Sequence, residues 1–396
     1  MVAIVTDVHY RMALALIRDL GQAGVDVICC ESDRFRGRAS SPALGALSRY
    51  CSRHVWLSEE DYAQSLLDLC REVGKEYHCR PALLPVGAAT LSLIAADRPR
   101  FDEVCGLLIP TSEQLALFNS KEQVAELAKK YNIPTPEGFV RKDEESVQDF
   151  AGRLQYPCVI KPVCGEKLGL SAAQRYAFAD TPEDAATAFL KFLELAGEDP
   201  VVQRRLMGGG LGLSVLAKEG KIIRSLCHRR VREYPVSGGP SSCCKTEVRK
   251  DLLAWVDTLV RETGFSGLAM FEFKEDHEGR PYLLEVNPRI WGTFPLTRVS
   301  KSGIPYLWYC HAFQRGNPSK AITIPVKKTL GTCKMIFGAS DLLAAAGYLR
   351  RGQIRKTLGA FVDALNPAVR DGVFEWKDPV PGFAYFRSLL AKERNR

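Results

Sequence analysis

The runs Met-Phe-Glu-Phe-Lys (270–274) and Leu-Leu-Glu-Val-Asn-Pro-Arg (283–289) are apolar segments that carry acidic residues at intervals and are joined by a polar stretch, 275–281. This pattern predicts a β-hairpin. Side chains alternate across a strand, so Glu285 and Asn287 share one face, and the hairpin partner can bring Glu272 beside them. Two carboxylates and an amide oxygen suit magnesium or manganese, hard cations that complete their shell with water and substrate phosphates. An exposed acidic face would show the same alternation. The position of Glu272 between Phe271 and Phe273 favours the metal. Arg289, just past Pro288, either reaches a phosphoryl group or oxyanion held at that metal or pairs with Glu272 or Glu285.

Working back toward the start of the chain, Val201-Val202-Gln203-Arg204-Arg205-Leu206 is a strand that runs into Gly208-Gly209-Gly210. Such a hinge offers backbone N–H and C=O groups to the edge of an adenine, or is a plain linker. Lys161 ends the apolar run Cys158-Val159-Ile160 and meets Pro162, at the mouth of a loop containing Gly165 and Gly169. Backbone donors from a glycine loop with one lysine as point charge make a phosphate cradle. Lys121, at the start of a predicted helix after Ser120, supplies a second cation. In 228–235, Arg230 and Arg232 alternate onto one face and are the candidates for anion contact, whereas Arg229 reads as solvated.

The remainder of the chain sets these segments in an α/β frame. Strand 2–5, helix 11–23 and strand 25–30 open a parallel doubly wound sheet, continued by helix 62–74 and strand 82–86. The first turn, Thr-Asp-Val-His-Tyr-Arg, lacks the glycines of a dinucleotide site, which argues against a nicotinamide cofactor. A small α+β lobe follows, with a helix at 144–154, a strand at 174–178 and a helix at 182–196. Of 396 residues, 46% are hydrophobic and 25% charged, an ordinary composition for two or three domains. The net charge of +8 is carried entirely by residues 320–396, with 14 Lys and Arg against 6 Asp and Glu; the first 319 residues hold 40 of each sign. No basic stripe with interleaved aromatics crosses the main body, so nucleic acid is not an expected partner. Asp7, His9 and Arg11 interrupt the apolar start, and the 13 cysteines form no Cys-x-x-Cys pair; the expectation is a cytoplasmic protein with reduced thiols. In the basic C-terminal region, Leu342, Leu343, Leu349, Ile354, Leu358, Phe361 and Leu365 alternate with Arg350, Arg351, Arg355 and Lys356. Packing against the main body is the expected use of those apolar residues, and docking on anionic lipid the alternative.

In their order, Ser120-Lys121, Val-Ile-Lys-Pro (159–162), the 203–206 hinge, the Glu272 strand and Glu-Val-Asn-Pro-Arg (285–289) resemble the ATP-grasp superfamily, over about residues 1–320. Arg-x-Arg-Glu-Tyr-Pro (230–235) with its Gly-Gly, and Trp291-Gly292, are similar to the carboxylate-amine ligase branch, near carbamoyl-phosphate-synthase-like and D-aspartate-ligase-like enzymes. The resemblance implies a Rossmann-like pre-ATP-grasp domain (1–112), a two-lobed ATP-grasp domain (113–320) with a lid lobe at about 135–200, and a basic helical C-terminal extension (321–396). It implies that Lys121 and Lys161, with the Gly165 loop, contact ATP phosphates. Gln203 and the Arg204 and Leu206 backbones would hold adenine, Glu272, Glu285 and Asn287 the magnesium, and Arg289 the reacting centre, with Arg230 and Arg232 as further catalytic cations. The hinge departs from many members in carrying Arg204 and Arg205 where an acid is common. The implied activity is amide or peptide bond formation through an acyl phosphate, from a small carboxylic acid and an amine, with a homodimer allowed. Bicarbonate activation uses the same parts, and a nucleotide-binding module without turnover is the reading from another class.

Overall fold

The computed structural model describes residues 1–163, 168, 170, 174, 176–236, 238–320 and 332–394. Strands β1 (Val2–Val5), β2 (Asp26–Ser32), β3 (Arg53–Leu57) and β4 (Ala82–Leu84) form a parallel sheet in the order β3-β2-β1-β4. Both faces of β1 are covered, which is why it is apolar throughout. Ala3 and Val5 pack with the helix Arg11–Gln22, while Val2 and Ile4 pack with the helix Tyr62–Glu76.

The second sheet joins β5 (Gly138–Phe139), β6 (Cys158–Lys161), β7 (Ala177–Ala179) and β8 (Val201–Arg204), all antiparallel, in the order β5-β8-β6-β7. Phe150, Phe189 and Phe192 from the helices Val147–Gly152 and Pro182–Ala196 fill its core. The first of these helices starts three residues later than its periodicity predicts, because the Ser146 hydroxyl accepts from Asp149 N–H and caps it there.

The third sheet is built from β9 (Gly210–Lys218), β10 (Lys221–Glu233), β11 (Ser241–Glu247), β12 (Gly267–Glu275), β13 (Pro281–Asn287), β14 (Lys334–Ile336) and β15 (Arg370–Asp371), in the order β13-β12-β9-β10-β11-β14-β15. The helix Lys250–Glu262 covers one face through Leu252, Val256, Leu259 and Val260. C-terminal residues thus extend this sheet through β14 and β15.

Two contacts tie the first sheet's layer to residues 304–378. Gly106 meets the helix Ile304–Gly316 so closely that a Cβ there would lie 2.0 Å from the Ala312 carbonyl oxygen, and nearby Trp308 Nε1 donates to Leu108 O at 2.7 Å. Arg18, 1% exposed, donates from Nε to Asp378 Oδ2 (2.8 Å), from Nη1 to Val373 O (2.6 Å) and from Nη2 to Asp378 O (2.7 Å). Asp378 also accepts from Ser48 Oγ and Arg49 N–H. A buried charge pair is tolerated when every lone pair finds a donor, and this one is close to that limit.

The C-terminal helices overturn the expectation that their apolar residues pack inward. In the hairpin of helices Gly338–Arg350 and Ile354–Leu365, the buried positions are Ser340, Asp341, Ala344, Ala345, Tyr348, Thr357, Ala360 and Asp363. Leu342, Leu349, Ile354, Leu358, Phe361 and Leu365 are exposed, and Leu343 is half-buried. The inward side is given to carboxylates that meet Arg232 and Lys334. No helix of the described residues is long and apolar enough to cross a membrane.

Candidate functional site

The hairpin forms as its alternation predicts. Glu272 and Glu285 lie directly opposite each other across β12 and β13, and Met270 opposes Asn287. A register shift between Glu272 and Phe273 lets the acidic face turn toward a cleft while Phe271 and Phe273 stay in the core. That cleft, about 1120 Å³, lies between the second and third sheets and is lined by Lys161, Gln203, Leu206, Arg230, Glu272 and Lys274, among others.

Cations surround the two carboxylates. Lys121 Nζ lies 3.0 Å from Glu285 Oε2, and Arg230 Nη2 lies 2.6 Å from Glu272 Oε1. Lys161 Nζ donates to Gln203 Oε1 at 2.8 Å across the register β6 shares with β8. Burial raises the Glu272 carboxyl above its usual range; Arg230 opposes that shift, and the charge of Glu285 adds to it. Burial works against the charge of Glu285 as well, but Lys121, the Asn287 amide and Lys161 outweigh it and hold this carboxyl below the usual range. Lys161 is pushed down to about 8 by burial and by Lys121, with Glu285 acting the other way. Lys274, which sequence reasoning passed over, is also lowered by burial in the same cleft. Its signal was available, since it alternates with Glu272 on the same strand.

The donor set fits a divalent ion of the hard class. Asn287 Nδ2 lies 3.4 Å from Glu285 Oε1, so the amide stands beside the carboxylate pair, and Glu272, raised by burial and further by the charge of Glu285, is a group whose charged form a dication between the two would favour. Among the described residues no group of three or more His, Cys, Asp and Glu gathers, so an ion here needs the amide and substrate phosphates to complete its shell.

Arg289 pairs with neither glutamate. It donates from Nη2 to Asn287 Oδ1 (3.2 Å) and from Nη1 to Ile290 O (3.0 Å), which steers the amide that faces Glu285. Its charge is felt by Tyr10, whose hydroxyl is raised by burial and Asp7 and lowered by Arg289. Tyr10 follows the carboxyl end of β1 and precedes the helix Arg11–Gln22. There His9 Nδ1 meets Glu31 Oε2 at 2.6 Å and its ring stacks on Phe35 at 4.0 Å. These groups also escaped the sequence reading; their signal is the position just past parallel strand ends.

The hinge separates into distinct tasks. Arg204 and Arg205 give their N–H groups to Glu137 O and Pro157 O, and no described residue accepts from Leu206 N–H, which borders the cleft. The Arg205 guanidinium lies 3.7 Å over the Phe178 ring. Gly165 lies outside the described residues.

The expectation that Arg230 and Arg232 share a face is corrected. β10 bulges on both sides of Arg232, so Arg230 opposes Cys244 and Arg232 opposes Cys243, and the two guanidinium groups diverge. Arg232 is buried with Asp341 (2.7 Å) and Asp363 (2.7 Å), and Lys334 Nζ reaches Asp363 Oδ1 at 2.6 Å. Arg229 is not solvated either, since Glu247 and Glu275 each lie 2.5 Å from it. His228, one residue earlier, is enclosed against Gly212, with Nε2 3.1 Å from Thr293 Oγ1, and is pushed down to about 3 by burial and by Arg230.

A family model described as "ATP-grasp in the biosynthetic pathway with Ter operon" matches residues 197–330. The chain is 26% identical over 204 residues to the carbamoyl phosphate synthase large chain of Clostridium perfringens, a match that covers 49% of this chain and 18% of that relative's length. Among solved structures, the biotin carboxylase domain of Hydrogenobacter thermophilus 2-oxoglutarate carboxylase, a dimer in complex with MgADP, ADP and bicarbonate, aligns with a TM-score of 0.61 at 15% identity, over 84% of this chain and 73% of that one. The L-amino acid ligase of Bacillus licheniformis aligns with a TM-score of 0.53 at 15% identity, over 84% and 78%. At such identities the structural likeness is one of fold.

Proposed function

We propose that this chain, a member of the ATP-grasp superfamily, is an ATP-dependent carboxylate-amine ligase. The observation that carries this reading is the pair Glu272 and Glu285, opposed across a hairpin and ringed by Lys121, Lys161 and Arg230 at the cleft. On this reading residues 1–112 are a Rossmann-like domain, 113–320 the nucleotide-binding unit and 321–396 an extension. The lobe at about 135–200 is a lid that keeps water from the reactive intermediate, and the protein works in the cytoplasm.

A carboxylate is a poor electrophile because oxide would have to leave. Transfer of the γ-phosphoryl group of ATP gives an acyl phosphate, and an amine displaces that phosphate to form an amide, with ADP and phosphate released. Magnesium, when held by Glu272, Glu285 and Asn287, supplies charge neutralisation and in-line orientation of the phosphates. Lys161 and Lys121 offset the charge of the phosphates, which otherwise repels the incoming carboxylate. Arg289 holds the Asn287 amide and directs positive charge at the acyl oxygen. Gln203 and the Leu206 N–H, for which no described residue is the acceptor, receive the adenine edge, while Arg204 N–H is already given to Glu137 O. Gln203 through its side chain also keeps Lys161 in place.

A bicarbonate-activating enzyme is the second reading, favoured by the biotin carboxylase likeness. The two separate in one assay of ADP release against a panel of acids and amines. Release that needs both an acid and an amine supports the ligase; release on bicarbonate alone overturns it.

A further inference from the structure

The helical hairpin of residues 338–365 is amphipathic in the reverse sense to an ordinary surface helix. On its second helix, Ile354, Leu358, Phe361, Val362 and Leu365 recur at helical spacing and are 51–86% exposed, while the opposite side buries Thr357, Ala360 and Asp363. On the first helix Leu342, Ala346 and Leu349 repeat the outward stripe. Water contact along so long an apolar row is unfavourable unless something covers it.

Charge is sorted in the same way. Asp341 and Asp363 turn inward to Arg232 and Lys334, Asp371 caps Gly338 N–H, Glu375 meets Arg298 and Asp378 meets Arg18. The exposed charges around the hairpin turn are Arg350, Arg351, Arg355 and Lys356; among the described residues none of the four pairs with a carboxylate, although Arg351 donates to Val236 O. Lys356 Nζ sits 4.8 Å over the Tyr348 ring. The outer surface is thus a convex apolar ridge with cations at one end and its acids withdrawn.

We propose that this hairpin docks on an anionic lipid surface, with the Ile354–Leu365 ridge seated among the headgroups and the four cations against their phosphates. A second copy of the chain fits less well, because the cationic turn would need acids opposite it, and the hairpin's own Asp341 and Asp363 are committed to Arg232 and Lys334. A convex ridge also enters a fluid interface without needing a matching groove. Arg351 and Lys356 line the cleft as well, so the docked edge adjoins its mouth.

The test is co-sedimentation of the full chain with vesicles of phosphatidylcholine alone and of phosphatidylcholine with phosphatidylglycerol. Binding to the anionic vesicles only is expected, falling about 20-fold in Arg350→Glu/Arg355→Glu and about tenfold in Leu358→Asp/Phe361→Asp. Both pairs lie on the surface, and unchanged melting temperatures would show that the fold is intact. Equal binding to neutral vesicles, no binding to either, or binding that both double variants retain would overturn the proposal. A dimer in sedimentation velocity that Leu358→Asp/Phe361→Asp dissolves, without vesicle binding, would assign the ridge to a second copy instead.

Discussion

Arg230 and Arg232 stand two residues apart on one strand and occupy opposite electrostatic settings. Arg232 lies in a closed set, where it and Lys334 meet two carboxylates, Asp341 and Asp363, and all of these but Lys334 are buried. Arg230 belongs to an open set: Lys161, Arg230 and Lys274 line a cleft with Glu233 and Glu272, and the pair of Lys121 and Glu285 stands beside them. Positive charge is in excess there, and the carboxylates repel each other. A closed set has nothing left to bind and holds segments together. An open set is poised for an anionic substrate and a metal.

Four measurements would break or sharpen that contrast. The largest effect is expected from Glu285→Gln in the open set, which should lower ADP release about 10³-fold with little change in thermal unfolding; turnover at the wild-type rate would remove the glutamate pair from the chemistry. Next, Arg232→Ala leaves buried Asp341 without a charged partner and Asp363 with Lys334 alone, and should cost about 3–5 kcal/mol in urea unfolding. Arg230→Ala should cost less than that, because cleft water reaches Glu272, while lowering turnover about 10²-fold. Equal stability losses would erase the distinction between the sets.

The third measurement concerns Lys161, lowered to about 8. Its ammonium is present below that pH and lost above it, so nucleotide affinity should fall roughly 30-fold between about pH 7 and 9.5. Lys161→Arg should flatten the profile, since a guanidinium stays charged throughout. The smallest effect belongs to His228, whose folded-state value is pushed down to about 3 from an ordinary 6.5. The unfolded chain takes up a proton that the folded one refuses, so this group's contribution to stability is present above 6.5 and declines as the pH falls. The slope is about 1.4 kcal/mol per pH unit. Urea midpoints compared with His228→Gln between pH 7 and 5.5 would measure it.

The hairpin of β12 and β13 was legible because strict alternation of Phe and Glu has one structural solution, and Lys161 because an apolar strand ends there. Strands β1, β2 and β4 of the first sheet were legible for a related reason, as apolar runs covered on both faces; β3, which opens on Arg53-His54 and is mostly half-buried, gave no such run. What escaped is what alternation cannot encode. The bulges beside Arg232 shift the register by a residue and send its side chain elsewhere. β14 joins β11 through pairing across about 90 residues, which no local pattern announces. The C-terminal hairpin shows the sharpest limit, since periodicity locates an apolar stripe without saying whether it faces a core or the outside. Only the buried Arg232, itself hidden by a bulge, explains why the acidic side turned in.

The clasp between Arg18 and Asp378 joins residues 360 positions apart. During synthesis the first sheet must therefore wait, with a guanidinium enclosed or held open to water, for tens of seconds until the tail leaves the ribosome. Shortened versions that stop before Asp378 should accumulate as insoluble material or be degraded. Dissecting this molecule into pieces calls for Arg18 to be replaced by a neutral residue first.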